Sequence, residues 1–200
     1  MTYWPLAAAF VGAYLLGSIP FGLLLTKSAG LGDIRAVGSG NIGATNVLRT
    51  GNKGLAALTL VLDAAKGAAA VLIARWLGGD VGFQIAAGLV AGLGAVIGHV
   101  FPVWLGFKGG KGVAAAFGVI AALSPATGAI TAVVWIFVLL VFRLSSLAAI
   151  AASIVAPLFA FGYAGKSVGA LTTLLALLVI AKHHANIRRL LTGTEPKVGK

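Results

Sequence analysis

Apolar residues run almost unbroken through most of this chain, and the few polar interruptions mark out its elements. Residues 3–26 are apolar throughout and exceed the roughly 20 residues a helix needs to cross a bilayer. Pro20 is expected to bend that helix, with the Ser18 hydroxyl meeting a freed carbonyl. No basic residue precedes it in the manner of a secretion signal, so the expectation is a retained transmembrane helix. Residues 55–77, 81–101, 126–142, 147–163 and 168–181 read as further spans. The stretch 113–123 is short for a crossing and reads as a half-length helix, set off from 126–142 by a turn at Ser124 and Pro125. A single kinked helix over 113–142 is the alternative. Between spans lie an ordered polar loop at 27–54, a minimal turn at 78–80 and a glycine-lysine loop ending at Gly112. The tail at 182–191 has the alternation of a short basic interfacial helix, ended by Gly193 and Pro196.

Composition leaves no room for a soluble domain: of 200 residues, 60% are hydrophobic and 10% charged, with a mean hydropathy of +1.04. Twenty-nine glycines suit closely packed membrane helices, and Gly88 with Gly92 and Gly94 with Gly98 have the spacing for such contacts. The absence of cysteine excludes disulfides, thiolate metal sites and a cysteine nucleophile. A net charge of +11 is what orientation and anionic lipid require of a membrane protein, so it does not call for nucleic acid. The cations also decide the topology. With seven spans, Lys27, Arg35, Arg49, Lys53, Lys108, Lys111, Arg143, Lys182, Arg188, Arg189, Lys197 and Lys200 fall on one side, while the opposite loops carry only Lys166. The expected fold class is therefore an all-α polytopic integral membrane protein with seven transmembrane helices, N-terminus outside and C-terminus cytoplasmic. Residues 1–200 are read as one membrane-embedded domain.

Three polar clusters then share the cytoplasmic face: the Ser39 to Arg49 loop, the Lys108 to Gly112 loop, and the His183 to Asn186 tail. In the second, Gly109, Gly110 and Gly112 allow backbone N–H groups to converge, and Lys108 and Lys111 add charge, which is how an anion is held. A helix opening at Val113 would add its dipole to that site. The loop is not a nucleotide-binding P-loop, because Gly112 stands where the magnesium-binding Ser or Thr would be and no strand precedes it. The clusters supply cations, hydroxyls, amides and imidazole, but among acids only Asp33 and Glu195. A carboxylate-pair hydrolase is unsupported, and the two histidines at 183 and 184 lack a carboxylate partner for a metal. Asp63 and Lys66, one turn apart in a span, read either as a structural ion pair or as substrate-binding groups. His99 reads either as a structural histidine or as part of the site.

The motifs are Ser39-Gly40-Asn41 with Gly43-Ala44-Thr45-Asn46 and Arg49; Gly98-His99 with Phe101-Pro102 and Phe107-Lys108-Gly109-Gly110-Lys111-Gly112; and Lys182-His183 with Asn186-Ile187 and Glu195. On these, and over nearly its whole length, the chain resembles the bacterial membrane glycerol-3-phosphate acyltransferase family that uses acyl phosphate as donor. The resemblance implies transfer of the acyl group to the 1-hydroxyl of sn-glycerol 3-phosphate, giving lysophosphatidate and phosphate, the first step of phospholipid synthesis. It also implies seven transmembrane helices in the bacterial cytoplasmic membrane, with the active site at the cytoplasmic face. By the same resemblance Ser39, Arg49 and Lys111 engage the phosphate of glycerol 3-phosphate, and His183 and Asn186 hold its hydroxyls. Thr45, Asn46 and the glycine backbone at 109, 110 and 112 face the donor phosphate, with Asn41 and Lys108 also binding substrate. No cofactor or metal is implied. The lipid bilayer and an enzyme supplying acyl phosphate are the implied partners.

The other large acyltransferase class uses a His and an Asp five positions apart; here Trp104 follows His99 at that distance, and Arg188 and Arg189 follow the two tail histidines. With an activated donor, positioning and charge neutralisation can carry the reaction, the hydroxyl proton going to His183 or to a donor phosphate oxygen. A small-anion transporter and a noncatalytic membrane scaffold are the competing classes. Lys111→Ala is expected to weaken turnover sharply at subsaturating glycerol 3-phosphate while leaving the membrane fold intact, as initial rates and a thermal melt would show.

Overall fold

The computed structural model describes residues 4–199, and Tyr3 and Lys200 lie outside them. It is helical, with no strand among the described residues: α1 Trp4–Gly17, α2 Phe21–Ser28, α3 Ala44–Val47, α4 Lys53–Leu77, α5 Val81–Val100, α6 Val113–Leu123, α7 Pro125–Phe142, α8 Ser145–Tyr163, α9 Lys166–Lys182 and α10 His184–Leu191. Helix starts follow their capping chemistry. The side chains of Asn52, Asp80 and Ser124 accept from Leu55, Phe83 and Thr127 N–H, opening α4, α5 and α7, with Pro125 at the first turn of α7. Ser124 is extended, so α6 and α7 are separate helices rather than one kinked helix.

Five segments are long and apolar enough to cross a membrane: Trp4–Ser28, Lys53–Leu77, Val81–Leu105, Pro125–Phe142 and Ser145–Tyr163. Joining α9 to α10, bent by 63° at His183, makes a sixth. At 11 residues α6 rises about 16 Å, roughly half a hydrocarbon core, as its length in the sequence requires. The exposed apolar side chains are those expected of lipid-facing surfaces; on α7 they form a stripe at Val133, Phe137 and Leu140.

The chain divides into two compact units, one ending at Val119 and the other beginning at Ile120. In the first, α5 packs against both α1 and α4 through small residues. A Cβ at Gly17 would strike the Ala95 carbonyl, one at Gly98 the Tyr14 carbonyl, and one at Gly94 the Phe10 carbonyl, so backbones meet directly. Gly67 of α4 and Gly118 of α6 approach Ala115 and Ala64 in the same way. The break between α1 and α2 corrects one expectation. Ser18 Oγ donates to Tyr14 O (2.7 Å), a carbonyl that already receives the Ser18 N–H, whereas the Ile19 carbonyl at the break is met by the Lys66 ammonium at 2.7 Å. In the second unit α8 packs between α7 and α9, and α10 contacts α8 and α9. Gly193, at φ +69°, ends α10: its N–H reaches Leu190 O and the Thr194 N–H reaches Arg189 O, closing a Schellman turn.

Gly98→Val should separate α1 from α5 and cost about 1–3 kcal/mol or more. Gly12→Ala on the same α1, where an added Cβ meets nothing within 4 Å, should leave the thermal midpoint in detergent unchanged or slightly raised.

Candidate functional site

The loop from Ala29 to Asn52 is ordered from beneath. Ile34, Ile42 and Val47 bury against Leu23 of α2 and Ala56 of α4, with Val37, Leu48, Leu55 and Leu105 around them. Above this cluster Asn46 is the hub. It is 3% exposed; its Nδ2 donates to Ile34 O (3.1 Å) and Val37 O (2.9 Å), and its Oδ1 accepts from Ser39 N (3.1 Å) and Ser39 Oγ (3.3 Å). The Asn46 carboxamide, expected to face the donor phosphate, is instead spent on these internal bonds and fixes Ser39 in place. Gly38, at φ +54°, leaves the space that the Arg49 side chain occupies, since a Cβ there would meet Arg49 Nη1 at 2.5 Å. Asn41 Oδ1 accepts from Gly43 N (2.8 Å), opening α3, while Thr45 is exposed on it. Arg35 is bound to Asp33 at 2.6 Å, and Lys27 lies 3.8 Å from the same oxygen. The Arg35 side chain, then its N–H, hold the Asp33 carboxyl well below the usual carboxylate range, and Arg35 is raised in return. Arg49, in contrast, is exposed and makes no ion pair or hydrogen bond among the described residues, which leaves its planar fork for an anion.

The glycine-lysine loop folds back on the end of α5, and its Leu105 packs on the same apolar cluster. Here the structure corrects the expected cradle of glycine N–H groups. Gly109 N donates to Val100 O (3.2 Å) and Gly110 N to His99 O (3.0 Å), so both close the turn and are not turned toward an anion. The glycines serve close approach: a Cβ at Gly109 would strike the His99 carbonyl, and one at Gly110 the His99 Nε2. Gly112, at φ +89°, turns the chain into α6. Lys108 is exposed and Lys111 half-buried at that helix start, where charge and dipole act together. His99 is buried, with Nε2 against Gly110 behind the loop.

In the second unit His183, 3% exposed, stands at the bend between α9 and α10. Its Nδ1 is 2.7 Å from Val179 O. A carbonyl only accepts, so Nδ1 carries the hydrogen and the neutral ring keeps its lone pair at Nε2, the tautomer a proton acceptor needs. Asn186 is oriented by Glu195: Nδ2 donates to Oε1 at 2.6 Å, and Ser146 Oγ donates to the same atom at 2.6 Å, while Arg189 Nε donates to Oε2 at 2.7 Å. Burial alone would raise the Glu195 carboxyl; the bonds from Ser146, Asn186 and Arg189 outweigh it and hold the group below its usual range. Beyond Glu195, Val198 N donates to Arg143 O (2.7 Å) and Arg143 Nη2 to Val198 O (3.1 Å), strapping the tail to the α7–α8 corner. Glu195 stands in the third sequence motif, but that it joins Ser146 and Arg189 to orient Asn186 is what sequence reasoning missed. The available signal was the scarcity of acids, since four stand against fifteen Lys and Arg, and one of the four lies in a basic tail.

Apolar spans and cation-bearing loops define a multi-pass helical membrane protein built to meet anions. Residues 7–193 match the family model described as glycerol-3-phosphate acyltransferase. A curated relative of that name from Mesorhizobium japonicum is 56% identical over 199 residues, covering 100% of this chain and 98% of its own. One from Brucella canis is 55% identical, covering 97% and 94%. The crystal structure of PlsY (YgiH), an integral membrane glycerol 3-phosphate acyltransferase, in its glycerol 3-phosphate form has a TM-score of 0.89 at 43% identity, covering 97% of this chain and 96% of that one. Its lysophosphatidic acid form gives 0.86 at 41%, covering 96% and 94%. The chain belongs to the glycerol-3-phosphate acyltransferase family.

Glu195→Ala should free the tail, seen as faster amide exchange at residues 194–198 with α4 and α5 unaffected. Because the native carboxyl is lowered, its contribution is complete above the ordinary value near 4.5 and is lost as pH falls through the lower native value. The wild type should therefore show the same loosening only below pH 4.5.

Proposed function

We propose that this protein transfers an acyl group from acyl phosphate to the 1-hydroxyl of sn-glycerol 3-phosphate, giving 1-acyl-sn-glycerol 3-phosphate and phosphate. The observation that carries the reading is the family match over 7–193, joined to a 43% identical relative solved with glycerol 3-phosphate. The donor is argued from the carboxylates. The chain has four, and each is engaged: Asp33 by Arg35, Asp63 by Lys66, Asp80 as the cap of α5, and Glu195 by Ser146, Asn186 and Arg189. With none left to pair with a catalytic histidine, a donor already activated as a mixed anhydride suits the residues present.

Ser39, Arg49 and Lys111 bind the phosphate of glycerol 3-phosphate in this reading, and His183 and Asn186 orient its hydroxyls. Asn41, Thr45 and Lys108 face the donor phosphate, with Gly109 and Gly110 closing the turn that carries Lys111 and Asn46 holding Ser39. Two phosphates brought together repel, and the cations between them remove that barrier. The hydroxyl oxygen bonds to the acyl carbon as the bond from that carbon to the phosphate oxygen breaks. The proton passes to His183 Nε2 or directly to a donor phosphate oxygen, and leaves with phosphate. Both units act as one domain crossing the bacterial cytoplasmic membrane seven times, with α6 and α9 counted as spans, N-terminus outside and the site cytoplasmic. An enzyme that makes acyl phosphate is the functional partner.

Purified protein given acyl phosphate and labelled glycerol 3-phosphate should release phosphate in step with labelled lysophosphatidate. A transporter or scaffold gives neither product. His183→Gln should lower kcat by about 100-fold or more if the imidazole is the base; near-native turnover removes it and leaves the phosphate oxygen. An acyl group trapped on Ser39 would contradict direct attack.

A further inference from the structure

A charge pair inside a membrane helix is costly, and its retention at one place asks what it holds. Asp63 and Lys66 on α4 are 2% and 3% exposed, with Nζ 2.8 Å from Oδ1. Neither stops at the other. The ammonium donates to Ile19 O (2.7 Å) at the break before α2 and stands 5.5 Å from the centre of the Phe21 ring. Asp63 Oδ1 lies 3.6 Å from His99 Nδ1, and that buried nitrogen has no hydrogen bond among the described residues. At 3.6 Å the carboxylate attracts the ring N–H without fully bonding it.

The contacts continue outward from His99. Its carbonyl receives the Gly110 N–H at 3.0 Å, and its Nε2 occupies the place a Gly110 Cβ would take. Orientation of the ring at Nδ1 therefore decides where the Gly110 backbone lies at Nε2, and Lys111 is the next residue. On the other flank Gly22, beside Phe21, abuts the Ile42 carbonyl in the loop that carries Ser39 and Arg49. One buried pair thus stands behind both cation-bearing loops of the first unit.

We propose that Asp63, Lys66 and His99 are positioning residues for acyl transfer: the buried pair holds the imidazole, which sets the Gly109–Gly110 backbone and so the place of Lys111. This rests on the acyltransferase reading above. None of the three touches substrate; each acts through the loop. A shift of about 1 Å at such a group can cost on the order of 100-fold, so the effect is large enough to measure.

The test uses the purified full chain, wild type alongside His99→Leu, His99→Asn and Gly110→Ala, with KM for glycerol 3-phosphate, KM for acyl phosphate, kcat and thermal midpoint read for each. His99→Leu should raise KM for glycerol 3-phosphate about 10-fold or more, with a thermal midpoint near that of the wild type. His99→Asn, whose amide sits near the Nδ1 position and still faces Asp63, should recover most of that loss. Gly110→Ala should reproduce the rise by pushing on Nε2 from the loop side, and it decides the matter if His99→Leu does not fold. Unchanged KM in Gly110→Ala and in the folded His99 variants overturns the proposal. So does a loss of kcat that merely follows thermal stability. A wild type inactive in the same assay would defeat the acyltransferase reading itself and this inference with it.

Discussion

A helix that breaks inside a bilayer exposes backbone groups that water cannot reach, and everything at the business end of the first unit depends on how that break is closed. Pro20 ends the regular bonding of α1, and the Lys66 ammonium of α4 crosses to the Ile19 carbonyl. Asp63 neutralises the charge from one turn away. This three-way contact fixes α2 against α4, and α2 in turn supplies Leu23 to the apolar cluster under the Ser39 to Arg49 loop. A polar loop that would otherwise be mobile is therefore held over hydrophobic packing and a buried charge pair.

The scarcity of acids gives the protein its character. Four carboxylates stand among fifteen Lys and Arg side chains, and every one of them is engaged in shaping the structure. Asp33 neutralises Arg35 and leaves Arg49 clear; Glu195 gathers Ser146, Asn186 and Arg189 into one knot. Arg49 makes no ion pair among the described residues, which suits a substrate carrying phosphate. In the second unit a histidine at the bend between α9 and α10 has its tautomer set by a backbone carbonyl rather than by a carboxylate.

Hydropathy alone located every long helix, because each crossing must satisfy its own backbone and so must be a long apolar run. The turns at 78–80 and at Ser124 and Pro125 were equally legible, and in the structure Asp80 and Ser124 cap the helices that follow them. What escaped were contacts made across sequence distance. Nothing near Asn46 says that its amide will reach the Ile34 and Val37 carbonyls, and nothing near Ser146 points to Glu195, 49 residues away. The glycines at 109 and 110 misled for a related reason: glycine permits both an anion cradle and a tight backbone approach, and only the position of His99 chooses between them. The cations themselves were readable as residues of the polar loops between apolar runs.

The central claim is that fixed cations on these loops recognise glycerol 3-phosphate before any chemistry occurs. Calorimetric titration of glycerol 3-phosphate into the purified protein without an acyl donor tests it most directly. The account predicts saturable binding of one ligand per chain that weakens with added salt and is lost in Arg49→Ala. Binding of wild-type strength in Arg49→Ala would contradict it.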